Sequence, residues 1–304
     1  MTDARIGVLA GLATAGLWVV SSLAFTKSGR ALGATQVNLL RTVAAAAVLL
    51  GVQCLVLGRL MPEMSTASML WLAGSGIMGL TIGDQFLFTG YVMLGPRLVS
   101  VLMTLAPSMS ALIAWSAFGD AMTGLSIGGM IITTAGVAWA ALGRASQDSP
   151  HTPQERRIGL LFGVAAALCQ AIGMVMAKRG LEEGVTPFDA QTVRMYAGSI
   201  TVIPLALLMG RVRCAVPSGS AGRAFAILAL GVVSGPLLGV YFSMLATAKV
   251  PVGVAATLIG LVPVLILPAT RVIDGEAISP RALAGALLAV VGIAVLSWGA
   301  SIEG

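Results

Sequence analysis

Apolar residues fill this chain in runs that suit a bilayer better than water as solvent. Ten segments hold about 20 apolar residues each and use most of the 304 positions. At 1.5 Å per residue, such a segment spans the roughly 30 Å hydrocarbon core as a helix. In lipid the backbone has no water to bond, so a spanning segment satisfies its N–H and C=O groups internally. The spans are expected at 6–26, 35–57, 68–92, 97–118 and 125–143, then at 158–177, 189–209, 224–247, 252–273 and 281–299. Charged residues are 10% of the chain, against about 25% in a soluble domain. The connections are short, and no soluble domain of useful size is left. The first run begins a repeat and is at span length, so it is read as a helix and not as a cleaved signal peptide.

The second half repeats the first. A shift of 156 carries Gly79 onto Gly235, Gly83 onto Gly239 and Leu105-x-Pro107 onto Leu261-x-Pro263. It also carries Gly119-Asp120-Ala121 onto Gly275-Glu276-Ala277, Gly129 onto Gly285 and Gly136 onto Gly292. The polar stretch Arg144 to Arg157 separates the copies as an extramembrane linker. The expected organisation is a first five-helix repeat at 1–143, a linker at 144–157 and a second five-helix repeat at 158–304. Five is odd, so the second copy enters the membrane from the opposite side. The fold expected is thus an all-α polytopic membrane protein, ten transmembrane helices as two inverted repeats.

The net charge of +6 comes from dispersed loop residues, which points to membrane topology and not to nucleic acid. One face receives eleven Lys and Arg (Lys27, Arg30, Arg97, Arg144, Arg156, Arg157, Arg211, Arg213, Arg223, Arg271, Arg281) and the other five (Arg5, Arg59, Lys178, Arg179, Lys249). The positive-inside rule then places both termini outside. Cys54, Cys169 and Cys214 have no metal or redox spacing, and His151 in the linker cannot build a metal site alone. No metal and no cofactor is expected.

Glycines four apart share a helix face and allow close backbone approach. Gly7-x-x-x-Gly11 recurs as Gly159-x-x-x-Gly163, and Gly79-x-x-x-Gly83 as Gly235-x-x-x-Gly239. Pro107 and Pro263 each free a carbonyl four residues upstream, so each is a fixed bend or a hinge. Trp18, Trp115, Trp139 and Trp298 are interface anchors or packing groups; periodicity does not separate the two.

Asp84 is the one carboxylate clearly inside an expected span, roughly 12 Å from its end. A charge there costs about 2.5–3.5 kcal/mol on the insertion scale, so it needs a partner or a cavity. Arg41, about six residues into span two, is expected at similar depth. The pair is either structural or a substrate and coupling site. Asp84, Phe88 and Tyr91 share one face, as do Asn38 and Arg41. Ser100, Thr104 and Ser108 form a stripe in span four; Thr192, Tyr196 and Ser199 form another in span seven beside Arg194; Gln170 lies near the middle of span six. Together they are expected to line a polar pathway, although each taken alone is more often a helix-to-helix hydrogen bond.

Enzyme readings fail on the residues. There is no phosphate-binding Gly-x-x-x-x-Gly-Lys run, no Gly-x-Ser-x-Gly elbow, no second membrane aspartate for a protease, and a lone histidine.

These residues resemble the EamA-like, ten-helix branch of the drug/metabolite transporter superfamily. In the first half the resemblance rests on Trp18, Lys27, Arg41, Gly83-Asp84, Gly95-Pro96-Arg97, Pro107 and Gly119-Asp120. In the second it rests on Lys178, Pro187, Arg194, Ala255-Ala256-Thr257-Leu258, Pro263 and Gly275-Glu276. Asp120 stands where the family usually has Glu. The resemblance implies a secondary transporter in a bacterial cytoplasmic membrane, exporting a small metabolite such as an amino acid or amine, with protons as a coupling ion. It implies termini inside, against the charge count. Expected partners are the lipid bilayer, a small-molecule substrate, protons and a second copy in a homodimer. The expected pathway is Asp84, Arg41, Asn38, Tyr91, Ser100, Thr104, Gln170, Arg194 and Tyr196; the expected hinges and packing points are Pro107, Pro263, Gly79, Gly83, Gly235 and Gly239. An uncoupled facilitator and a non-transporting sensor or scaffold are the alternatives. The halves differ in register: Asp84 maps onto Val240, Ser100 onto Ala256, Thr104 onto Gly260 and Ser108 onto Val264.

Overall fold

The computed structural model describes residues 3–119, 122–141, 152–182, 184–210, 221–249, 255, 258–275 and 279–301. Asp120, residues 144–151 of the linker with His151, Arg211, Arg213, Cys214, Ala256, Thr257 and Glu276 lie outside them. The described residues form helices and the turns between them, without strands. In chain order the helices are α1 (Asp3–Leu32), α2 (Ala34–Leu55), α3 (Thr66–Leu94), α4 (Pro96–Phe118), α5 (Gly124–Ala141), α6 (Pro153–Leu181) and α7 (Pro187–Leu208). The remainder are α8 (221–249), α9 (Val262–Asp274) and α10 (Pro280–Ser301). Among the described residues, seven helices are long and apolar enough to cross a membrane; Gly124–Ala140 and Val262–Ile273 are shorter apolar ones.

α1 and α6 overrun their expected spans by the most. α1 has 30 residues and α6 has 29, because a helix does not stop where the apolar run stops. α6 starts inside the stretch read as linker. Thr152 caps it, accepting from the Glu155 backbone while the Glu155 carboxylate accepts from Thr152, and Pro153 sits where a missing N–H costs nothing.

The distribution of side chains is that of a protein whose solvent is lipid. Leu55, Leu208 and Val272 are more than four-fifths exposed, whereas Asn38, Gln53 and Thr14 are wholly buried. Trp115, Trp139 and Trp298 face outward, and the Arg281 guanidinium stacks over Trp139. Trp18 instead packs inward, its Nε1 against Gly239.

The repeats meet through reciprocal contacts. Gly129 of α5 lies against Gly292 and Leu296 of α10, and Gly136 against Gly285 and Ala289. Sequence order rises along one helix as it falls along the other, so the pair is antiparallel. Gly129 and Gly285 are counterparts in the repeat, as are Gly136 and Gly292. Exchange of the halves therefore carries one contact onto the other, as in an isologous interface. A side chain at Gly129 would have its Cβ 2.3 Å from the Leu296 nitrogen, so glycine sets the spacing.

The same exchange holds for the first and third helices. Gly11 of α1 meets Leu258, and Gly163 of α6 meets Leu102. Gly235 of α8 meets Ser21 of α1, and Gly79 of α3 faces Gly173 of α6. α3 and α8 each contain a π-helical stretch at the same repeat position, Ile77–Gly83 and Val233–Gly239. The fourth helices break alike, at Thr104 and at Gly260–Leu261, three residues or fewer before Pro107 and Pro263. Both end on a left-handed glycine, Gly119 at φ 70° and Gly275 at φ 71°, a conformation that only glycine adopts without strain.

Candidate functional site

The π-helical stretch of α3 sets the site. A π turn lengthens the hydrogen-bonded loop by a residue and re-aims the side chains that follow. Asp84 is the first residue after it, and its N–H bonds the Gly79 carbonyl five residues back. Carbonyls of the widened turn also accept from side chains. Asn38 Nδ2 of α2 donates to the Thr81 carbonyl at 3.1 Å, and Gln170 Nε2 of α6 donates to the Gly79 carbonyl at 3.4 Å. The Thr81 hydroxyl ties the stretch to α7, donating to the Gly198 carbonyl at 3.1 Å. Ser75 Oγ ties it to α6 through the Gly173 carbonyl at 2.6 Å.

Asp84 is 4% exposed. Arg41 Nη2 donates to its Oδ2 at 2.5 Å, and Gln170 Nε2 to its Oδ1 at 2.9 Å. Arg41 Nη2 also reaches Asn38 Oδ1 and Thr42 Oγ1, each at 3.3 Å. The Arg41 guanidinium lies over two rings that pack edge-to-face, 5.9 Å from the Phe25 centroid and 5.2 Å from that of Phe88. A buried ion pair needs such extra partners to offset the desolvation of both charges.

Arg194 joins from the second repeat. The backbone of α7 approaches α3 closely because Gly76 has no side chain: a Cβ there would lie 2.2 Å from the Arg194 carbonyl oxygen. The Arg194 guanidinium then runs beside Gly79, whose Cβ position is 3.7 Å from Arg194 Nη2 and 3.3 Å from Gln170 Oε1. It acts on Asp84 electrostatically without closing an ion pair. Among the described residues its one hydrogen bond is from Nη1 to Gln191 Oε1 at 3.4 Å, and its buried Nε has no partner.

Asp84, Arg41, Asn38, Gln170 and Arg194 thus converge from α2, α3, α6 and α7. Tyr91 lies two turns beyond Asp84, with its hydroxyl 3.0 Å from Ser22 Oγ and beside Ser100. Ser100 and Ser108 bury hydroxyl oxygens that have no hydrogen-bond partner among the described residues. Thr104 turns onto its own helix, donating to the Val101 carbonyl at 2.7 Å. The Tyr196 hydroxyl donates to the Leu60 carbonyl, outside this constellation. Thr192 bonds the Phe188 carbonyl, and Ser199 those of Met195 and Thr42.

The sequence reading missed Ser22, Phe25 and Thr81. The first had a signal: Thr14, Trp18, Ser22 and Thr26 recur at four-residue spacing on α1, and Thr14, Ser22 and Thr26 are buried. Thr81 had none, since its carbonyl and hydroxyl gain their roles from the π turn. Among the described residues no three His, Cys, Asp or Glu side chains gather to hold a metal ion.

Apolar outer faces, two repeats with reciprocal contacts and a charged cluster where they meet define a multi-pass membrane transporter of the two-repeat class. The family model of the EamA-like transporter family matches residues 5–142 and again 157–298. The chain belongs to that family, within the drug/metabolite transporter superfamily. A solved chain described as "Crystal structure of protein" is similar in fold, with a TM-score of 0.64 and 21% identity, covering 98% of this chain and 99% of its own. No curated protein matches.

Proposed function

We propose that the protein is a secondary transporter that moves a small polar metabolite of amino-acid size out of a bacterial cell across the cytoplasmic membrane. The observation that carries this reading is the Asp84–Arg41–Gln170 cluster with Arg194 beside it. It draws charged and polar groups from both repeats to the middle of helices whose outer faces are apolar. An ionisable group at that depth is functional by default. The inverted arrangement supports alternating access: the antiparallel α5–α10 contact is the fixed seam, and the breaks before Pro107 and Pro263 are the hinges about which the halves rock.

Asp84 is the coupling group in this reading, and protons are the ion exchanged. Both of its oxygens already accept hydrogen bonds, so an open site for a substrate amine is the weaker of its two expected roles. The same engagement favours one rival, an uncoupled facilitator in which the pair is structural. Proteoliposomes with an imposed pH gradient separate the two. A screen of amino acids, amines and nucleosides finds a carried solute, and Asp84→Asn is then expected to abolish its gradient-driven uptake at normal expression. Unchanged gradient-driven uptake in the variant rejects coupling through Asp84; no flux of any solute rejects the transporter reading itself.

A further inference from the structure

The ion-pair arithmetic of the site does not close. Three charged side chains meet around the π turn of α3: Arg41, Asp84 and Arg194. Arg41 takes the carboxylate at Oδ2, and Gln170 takes Oδ1. Among the described residues, Arg194 has no carboxylate within ion-pair distance. Its hydrogen bonding is limited to a 3.4 Å contact with Gln191, and its Nε is buried without an acceptor.

The repeat explains the excess. Arg41 and Arg194 are counterparts on the second helices of their halves. The carboxylate that serves Arg41 has Val240 as its own counterpart. Two arginines therefore share one aspartate, and one positive charge is left over inside the membrane region. A part-buried charge in the membrane region is costly unless something neutralises it. A guanidinium is also the side chain best suited to a planar oxyanion, which it holds with two parallel hydrogen bonds. Gly79 keeps the space beside Arg194 Nη2 clear of side chain, since its missing Cβ would stand 3.7 Å away.

We infer that the transported metabolite is a small organic oxyanion, and that Arg194 receives its acidic head. Arg194 is a substrate-binding residue in this assignment. Asp84 and Gln170 are positioning residues: Asp84 occupies Arg41, Gln170 holds the other carboxylate oxygen, and Arg194 is left as the open cation. This rests on the transporter reading for its meaning but not for its test, since binding is measured without flux.

The test is a thermal melt of the purified full chain in detergent. The probes are four head groups on aliphatic, aromatic and hydroxylated frames: amino acid, deaminated acid, amino-acid amide and decarboxylated amine, for example leucine, isocaproate, leucinamide and isopentylamine. Inorganic phosphate is a fifth probe and separates a phosphate head from a carboxylate. Acid-bearing probes are expected to raise the melting temperature in at least one frame, and amides and amines are not. Arg194→Gln is expected to weaken acid binding about ten- to a hundredfold, the range for a lost hydrogen-bonded charge. Arg194→Lys keeps the charge, so it retains part of the response.

An amine or amide that stabilises the wild type as well as its acid overturns the inference. So does the failure of every acid and of phosphate to shift the melt, or an acid response that Arg194→Gln leaves intact. The wild-type comparison of head groups stands even where a variant does not fold. Arg194-dependent binding of an acid that no vesicle transports rejects the transporter reading alone. Flux of an amine that ignores Arg194 rejects the oxyanion alone.

Discussion

The third helices of the two repeats reach the same shape by different means. α8 holds Pro236 inside its π stretch. Proline has no N–H and its ring presses on the carbonyl four residues back, so the helix widens there for a local covalent reason. α3 has Leu80 at that position, and nothing in its own sequence requires a π turn. Its turn is held from outside, by Asn38 on the Thr81 carbonyl, Gln170 on the Gly79 carbonyl and the Thr81 hydroxyl on α7. The side chains that hold the turn are, in part, those that hold Asp84. A structural device made by proline in one half has become, in the other, part of a polar site.

The charged site and its apolar counterpart differ most under single substitutions. Asp84→Ala leaves Arg41 buried without its carboxylate, and is expected to cost about 3–5 kcal/mol. Val240→Ala at the matched position removes only methyl groups from a partly buried site, at about 0.5–1.5 kcal/mol. Reversible unfolding in detergent measures both, and equal losses would break the comparison. Joint replacement of Arg41 and Asp84 by apolar residues is expected to recover much of the stability while transport stays lost.

The α5–α10 seam gives a middle-sized effect that is equal in both halves. Gly129→Ala and Gly285→Ala each push a Cβ into facing backbone, which costs about 1–3 kcal/mol when packing is tight. Matched shifts in melting temperature are expected from the exchange symmetry. A large effect from one and none from the other would show that the halves do not meet as mates.

The smallest pair of effects concerns the π turns. Asn38→Ala removes one interhelical hydrogen bond, at about 0.6 kcal/mol and at most about 1.7 in comparable membrane helices. Pro236→Ala restores an N–H and is expected to shift stability by no more than about 1 kcal/mol in either direction. The sharper readout is substrate flux, which Asn38→Ala lowers and Pro236→Ala spares. The opposite ranking would place the site in the second repeat.

Much of this molecule follows from local chemistry and was legible residue by residue. Apolar runs of span length become helices because lipid leaves the backbone no other partner. The 156-residue register survives in the π stretches, the breaks before Pro107 and Pro263 and the left-handed Gly119 and Gly275. Thr152-Pro153-Gln154-Glu155 is a legible capping box, although its place in a polar stretch led to a linker assignment. Asp84 stood out because a carboxylate inside an apolar run demands an explanation, and its depth already suggested Arg41.

Tertiary structure alone decided which of the polar residues meet. Thr104 and Tyr196 share helix faces with credible pathway residues, yet one bonds its own helix and the other the carbonyl of Leu60. Arg194 is more than a hundred residues from Asp84, and it arrives there because Gly76 lets α7 press against α3. The π turn that aims Asp84 depends on donors from two other helices. Periodicity reports which face a residue occupies on its own helix. Which helix then faces it is settled by close packing between repeats, and that places two arginines beside one aspartate.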